Sequence, residues 1–411
     1  MSRTQATFRE AVAVSEFRAL WAAQMLSIVG DHLARIALSV LVFHRTGSPL
    51  LTAAIYALSF LPWVLGGPLL AGLADRFPRR TVMVQSDVGR AALVALMVIP
   101  HTPILVLAGL LFCTELLASP FSAARAAILP DVLPGDTYVI GSAISNITLE
   151  MGQVVGLGVG GAIVAIVGTR GALGADAATF VFSAVVIWLG VRHRSIVREA
   201  ASRPESMLEG TVAGARLLFG EPRLRALVCL AWLCAFYVVP EGLAVPYAAS
   251  LGGGAAAAGL LLAANPAGTI LGAAMVSRLF APARRLELMG ALAVLSCLPL
   301  LGFIAKPGLL WATALLVLSG VGSAYNLPAN AAFVAALPAA RRGQAFGLVQ
   351  SGMYVFQGAA LFAGGALAEW FSPPAVIAAV GLLGVALAAV LATTVLRPDR
   401  LTPRASPAPG S

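Results

Sequence analysis

Gly72-Leu73-Ala74-Asp75-Arg76-Phe77-Pro78-Arg79-Arg80 is a short charged hinge between two long apolar runs. Three arginines and an aspartate stand together in a chain that is 11% charged and 59% hydrophobic. Charge this dense is costly in hydrocarbon, so the hinge marks where the chain meets water on one side of a membrane. The runs on either side are continuously apolar and about 20 residues long, the length of a helix that crosses a bilayer. Strands of a membrane barrel would alternate apolar and polar residues instead. A helix also satisfies its own backbone polar groups, which lipid demands. Mean hydropathy is +0.90, whereas about a quarter of the residues of soluble domains are charged. The chain therefore reads as an all-α polytopic membrane protein.

Working outward from the hinge, twelve spans are expected, roughly at 17–43, 50–72, 81–100, 103–128, 140–167, 172–191, 226–248, 256–277, 286–304, 309–334, 345–370 and 375–396. An even number places both termini on one side. Arg35 and Arg90 fall within spans, and Arg45, Arg170 and Lys306 lie on the opposite side; all the rest of the 27 basic residues lie on the side of the termini. An excess of arginine marks the cytoplasmic side. Both termini and the Asp75 hinge are thus expected in the cytoplasm, with the chain in a bacterial inner (plasma) membrane. The net charge of +9 is accounted for by topology and not by nucleic-acid binding. The first apolar run is long and flanked by Arg18, which points to a retained span and not a cleaved leader. Cys113, Cys229, Cys234 and Cys297 fall inside spans without metal-ligand spacing, and read as small apolar residues.

The longest connection, 192–225, divides the chain into an N-terminal six-helix bundle at 1–191 and a C-terminal one at 226–396. Within this cytoplasmic connection Met207 to Gly220 reads either as a helix lying along the membrane surface or as a solvated linker. The proline-rich tail at 397–411 is expected to be disordered.

The two halves echo each other. Arg18-Ala19-Leu20 opens span 1 and Arg225-Ala226-Leu227 opens span 7. Pro120 is followed by Leu129-Pro130, and Pro328 by Leu337-Pro338, at the same spacing. Gln153 precedes Gly160-Gly161 as Gln357 precedes Gly364-Gly365. Matches in the same order at similar offset argue for two related six-helix bundles about an axis normal to the membrane.

Two such halves, a basic central connection and the hinge after span 2 resemble the major facilitator superfamily. The hinge is similar to that superfamily's signature G-x-L-A-D-R-x-G-R-R/K, with Pro78 in place of the second glycine. A narrower resemblance is to its multidrug and macrolide exporter branch, which also contains siderophore exporters. It rests on Phe17-Arg18-Ala19-Leu20-Trp21, Gly30-Asp31, Thr46-Gly47-Ser48-Pro49, Ala74-Asp75-Arg76-Phe77 with Arg79-Arg80, and Gly343-Gln344-Ala345-Phe346-Gly347. The resemblance implies a monomeric secondary transporter that works by alternating access, with a cavity between its halves. It also implies a cytoplasmic gate at Gly72, Asp75, Arg76, Arg79 and Arg80. There Asp75 would cap a helix of the other half, while the arginines pair with acids across the halves and release on opening. Retention by positive charge alone is the other reading of the cluster.

Ionisable groups within spans are costly and by default functional. Asp31 lies mid-span 1 with Arg35 one turn on, either a self-neutralising pair or a proton-carrying acid and its partner. Glu115 and Glu150 lie mid-span without an obvious local countercharge, and such acids are candidates to take up and release protons. Glu241 lies late in span 7, or at the outer surface. Asp31, Glu115, Glu150 and Glu241 are the candidates for proton coupling, led by Glu150 and Glu115. Asp87 and Arg90, one turn apart, read as a structural pair, and Arg125 and Asp131 as partners in a cytoplasmic network. Arg35, Asn146, Gln153, Asn326, Gln350, Tyr354 and Gln357 are candidates to line the cavity, or else glue between helices. The glycines of span 5 (Gly152, Gly156, Gly158, Gly160 and Gly161) permit close helix packing. They resemble the span 5 signature of antiporters, here without its Gly-Pro pair.

The expected activity is proton-coupled efflux of hydrophobic or amphipathic small molecules, macrolide-like or other drugs, often cationic. An exporter of a siderophore or another endogenous metabolite is the alternative, and a non-transporting receptor or scaffold is of a different class again. The scattered histidines form no catalytic or metal set, and no phosphate-binding Gly-x-x-x-x-Gly-Lys-Ser/Thr loop is present, so an enzyme or an ATP-driven pump is not expected. No cofactor or metal is expected; the partners are the substrate, protons and the lipid bilayer.

Overall fold

The computed structural model describes residues 7–70, 73–194, 215–216, 218–337 and 341–394. Gly72, most of Met207–Gly220 and the tail after Arg397 lie outside the described residues. Those described form helices and connecting turns, without a strand. Nine helices among them are long and apolar enough to cross a membrane, from Ser15–Thr46 to Pro373–Thr393. Arg79–Met97, which carries Arg79, Arg80, Asp87 and Arg90, and Arg342–Leu367 are helical but are not among the nine.

Local chemistry explains where the helices stop. Ser15–Thr46 ends at Gly47 in the left-handed conformation (φ +66°). Ser48 then caps the next helix by accepting the Leu51 N–H at 3.1 Å, with Pro49 in its first turn. A glycine stop followed by a serine cap and a proline start is a strong punctuation signal. Inside spans, prolines lack an N–H and crowd the carbonyl four residues back. Accordingly Pro49–Leu58 gives way to Leu61–Leu70 at Pro62, and expected span 7 breaks into Pro222–Trp232, Cys234–Tyr237 and Val239–Ser250 ahead of Pro240. Likewise Pro282–Cys297 tightens to a 3-10 helix at Pro299, and Leu309–Gly322 reaches Asn326–Ala336 through a 3-10 turn ahead of Pro328.

Asp136–Gly190 covers two expected spans and is broken at Gly168 (φ +75°, ψ 170°). The packing shows that its arms run in opposite directions. On the first arm a β-carbon at Gly152 would come within 2.7 Å of Ile28, at Gly156 within 2.8 Å of His32, and at Gly160 within 3.3 Å of Ile36, a parallel register with Ser15–Thr46. On the second arm Asp176 meets Gly30 and Gly190 meets Ala19, an antiparallel register. The chain reverses at Gly168 because glycine tolerates positive φ. The close approach expected of the span 5 glycines is therefore present.

The described residues group into two compact units. The first comprises those of Met1–Ala201, Pro240–Pro266 and Leu361–Pro373; the second comprises those of Ser202–Val239, Ala267–Ala360 and Pro374–Ser411. In the first unit, a β-carbon at Gly161 would stand 2.5 Å from the Ala255 carbonyl oxygen and 2.7 Å from the Gly259 Cα. Two helix backbones thus meet through paired glycines. In the second, Gly268 and Gly272, four residues apart, seat Ala255–Leu279 against the backbone of Val317 and Val321. The internal repeat also has a packing counterpart. In the first unit Trp21 donates its indole N–H to Thr148 at 2.7 Å; in the second Trp232 donates to the Val349 carbonyl at 3.1 Å. The first contact ties Ser15–Thr46 to Asp136–Gly190 and the second ties Pro222–Trp232 to Arg342–Leu367.

Candidate functional site

The first unit carries a half-open cavity of about 200 Å³ whose polar lining includes Gln24, Asp31, Arg35, Arg125, Glu150 and Gln153. Its walls come from Ser15–Thr46, Leu61–Leu70, Arg79–Met97, Ile104–Val132 and the first arm of Asp136–Gly190. Five of the residues singled out from sequence as proton or cavity candidates, Asp31, Arg35, Glu115, Glu150 and Gln153, thus line the same space.

The ion pairs differ from those expected along the chain. Arg35 does not pair with Asp31 one turn away. It reaches Glu115, with Nη2 3.1 Å and Nε 3.3 Å from Oε1. The Trp63 indole donates to the other Glu115 oxygen at 3.3 Å. Glu115 therefore does have a countercharge, contrary to the expectation; its partner lies on another helix, 80 positions away in sequence. Asp31 instead accepts from Arg90 Nη2. Arg90 also donates to Ser27 Oγ at 2.9 Å and lies 3.9 Å from Asp87, so the expected Asp87–Arg90 pair is one side of a larger cluster. The Arg90 guanidinium stacks 4.1 Å from the Phe180 ring centre, a cation–π contact. Ser183 donates to Asp87 at 2.6 Å.

Asp176 is a functional candidate that the sequence reading passed over. It is 1% exposed, beside the Gly30 backbone, and Thr179 Oγ1 lies 3.4 Å from its Oδ1. No ion pair reaches it among the described residues. The signal was available, since an acid inside expected span 6 meets the same rule that selected the other acids. The cluster thus gathers four carboxyls, Asp31, Asp87, Glu115 and Asp176, about two guanidinium groups, Arg35 and Arg90. Asp87, Arg90 and Glu115 are 0%, 1% and 3% exposed.

The remaining candidates are placed elsewhere. Glu150 opens into the cavity, and Asn146 is exposed but not part of the wall. Glu241 is half-buried, not at an outer surface, and accepts the Tyr56 hydroxyl at 2.8 Å. Asn326, in the second unit, donates to the Tyr237 hydroxyl at 3.4 Å. Gln350, Tyr354 and Gln357 lie on Arg342–Leu367, also in the second unit. At the hinge, Asp75 falls on the four-residue helix Leu73–Arg76, and Arg76 is exposed. Arg79 pairs with Asp131 at 2.6 Å and donates to the Ala127 carbonyl at 2.8 Å, while Arg80 reaches the Trp188 carbonyl. Both arginines are engaged inside the first unit. Asp131 thus belongs to Arg79 and not, as expected, to Arg125. Arg125 donates to Gln24 Oε1 at 2.6 Å and lies 3.3 Å from Ser145 Oγ.

Membrane-length helices and, in the first unit, a cavity rich in ionisable groups define a class, the polytopic helical membrane proteins. Comparison with known proteins narrows it. The sequence model of the Major Facilitator Superfamily matches residues 20–245 and 242–411. The chain belongs to that superfamily of membrane transporters. An MFS-type transporter of Bacillus subtilis, YfiS, is 25% identical over 362 residues, covering 85% of this chain and 86% of the relative. Macrolide efflux protein A of Streptococcus pyogenes is 30% identical over 77 residues, 19% of each chain. Among solved structures, the peptide transporter POT aligns with a TM-score of 0.70 at 15% identity, covering 97% of both chains. A bacterial homologue of the human lysosomal transporter Spinster aligns with a TM-score of 0.70 at 15% identity, covering 98% of this chain and 100% of that one. These structural likenesses show the fold.

Proposed function

We propose that the protein is a proton-coupled exporter of hydrophobic or amphipathic small molecules, acting by alternating access. The observation that carries the reading is the composition of the buried cluster. Four carboxyls around two guanidinium groups reach charge balance only when carboxyls hold protons, because unpaired buried charge is strongly unfavourable. A site that holds protons in one state, and whose ion pairs rearrange in another, couples proton movement to conformational change. Glu150, open to the same cavity, is placed to pass protons between the cluster and water. The partial likeness to a macrolide efflux protein supports export of amphipathic compounds.

The test is reconstitution in liposomes containing a pH-sensitive dye, with an imposed proton gradient and a panel of macrolides, lipophilic cations, siderophores and amphipathic carboxylates. Proton flux that depends on a panel compound, and that is lost in Glu115→Gln or Glu150→Gln, is the expected result. Transport of a compound without proton movement would contradict coupling.

A further inference from the structure

Arg125 differs from the other two arginines of the cavity. Arg35 rests on Glu115, and Arg90 on Asp31 and Asp87. No acidic side chain lies within ion-pair distance of Arg125 among the described residues; Asp131, six positions on, is held by Arg79. Its hydrogen bonds to described residues all use one nitrogen, Nη1, which donates to Gln24 Oε1 at 2.6 Å and Ser145 Oγ at 3.3 Å. Gln24 is itself fixed, since its amide donates to the Ser145 carbonyl at 3.2 Å. Among the described residues the rest of the guanidinium fork, Nε and Nη2, has no hydrogen-bond partner, and neither atom is fully buried. Both therefore keep some access to open space, and Arg125 lines the cavity. A guanidinium braced on one side by a fixed amide and open on the other presents parallel N–H donors in the geometry that matches a carboxylate. The other wall residues suit an apolar body: Trp63, Phe121 and Leu149 line the same cavity.

We propose that the substrate is an amphipathic carboxylate, held with its carboxylate on the open face of Arg125 and its apolar body among Trp63, Phe121 and Leu149. The inference rests on the transport reading above and replaces its expectation of a cationic substrate. Of the acids that line the cavity, Asp31 and Glu115 are already engaged by arginines, which leaves Glu150.

The experiment measures equilibrium binding of a matched set of probes to the purified full-length protein in detergent: 4-phenylbutyrate, 4-phenylbutanol and 4-phenylbutylamine. The set shares one apolar body and changes only the head group. The butyrate is expected to bind about tenfold or more tightly than the other two, as a charge-assisted pair implies. Arg125→Gln is expected to abolish that preference while leaving the alcohol's affinity unchanged, which also reports an intact cavity. Arg125→Lys, which keeps the charge but not the fork, is expected to retain part of it. Equal binding of the three probes, or tighter binding of the amine, would overturn the proposal. So would a preference for the butyrate that survives in Arg125→Gln. If proton-coupled transport is found without any head-group preference, this inference fails alone. If the preference is found without proton coupling, the transport reading fails alone.

Discussion

Arg35 and Glu115, on separate helices, form a pair that is closed on both sides, with two guanidinium nitrogens on one carboxylate oxygen and the Trp63 indole on the other. Removing one partner of such a pair leaves a buried charge without compensation, which costs roughly 3–5 kcal/mol. Glu115→Ala and Arg35→Ala should each lower thermal stability in detergent by about that amount. The double variant should be less destabilised than the sum of the two, and the coupling is measured by a double-mutant cycle.

Two neighbouring glycines should respond in opposite ways. A β-carbon at Gly161 would press on the Ala255 carbonyl and Gly259 backbone, neither of which can swing aside. Gly161→Ala is expected to cost about 1–3 kcal/mol, as overpacking does. At Gly158 the nearest atom to an added β-carbon is Ala263 Cβ at 3.4 Å, an ordinary contact. Gly158→Ala should be neutral or raise stability by up to about 1 kcal/mol, because alanine is the better helix former. Thermal melts of the two variants, read side by side, check both outcomes.

Glu369 lies in the turn beyond Arg342–Leu367 and accepts the Leu50 N–H at 3.0 Å together with the Ser48 hydroxyl. It therefore supplies a carboxylate to the N-terminus of Pro49–Leu58, where unpaired N–H groups gather. These hydrogen bonds hold its carboxyl below the ordinary carboxylate range, the Ser48 contact being the larger cause. For an acid depressed in the folded state, the stabilisation is present above the unfolded value, about 4.3 for glutamate, and is lost as pH falls through the lower folded value. Protection of the Leu50 amide from hydrogen exchange should therefore fall as the medium is acidified through that window. In Glu369→Gln the same amide should show no such step.

How much of this was legible in the residues follows from the range of each interaction. The helices were readable because a run of apolar residues of membrane length is a local property, but the breaks at Pro62, Pro240, Pro299 and Pro328 were not, since Pro120, Pro130 and Pro266 stand inside unbroken helices. The span 5 glycines were readable as a packing face, although their partners Ile28, His32 and Ile36 were not. The candidate acids stood out as charges in hydrocarbon, but their pairing did not. Arg35 has Asp31 one turn away and chooses Glu115 on another helix, since three-dimensional packing and not sequence spacing brings the carboxylate to it. Arg79 likewise takes Asp131 from Arg125. Asp176 met the same rule as the other acids and was overlooked all the same; what could not be read is its place, which depends on Gly30, far away in the chain, leaving room for a carboxylate.

The arginine distribution predicts that both termini face the cytoplasm. A fluorescent protein fused after Ser411 should fold and fluoresce in cells, and a phosphatase that is active only in an oxidising compartment should be inactive at the same position. The same phosphatase inserted beside Lys306 should be active.

The coupling of protons to substrate is tested most directly by proton release from the purified protein. In weakly buffered detergent solution, a compound that passes the liposome assay is added and the pH of the medium is followed. If the carboxyl cluster exchanges protons for substrate, binding releases protons in proportion to sites filled, and the release is lost in the Asp31→Asn and Glu115→Gln variants. Binding without any change in proton content, or an undiminished release in both variants, would contradict a coupling role for the cluster around Arg35 and Arg90.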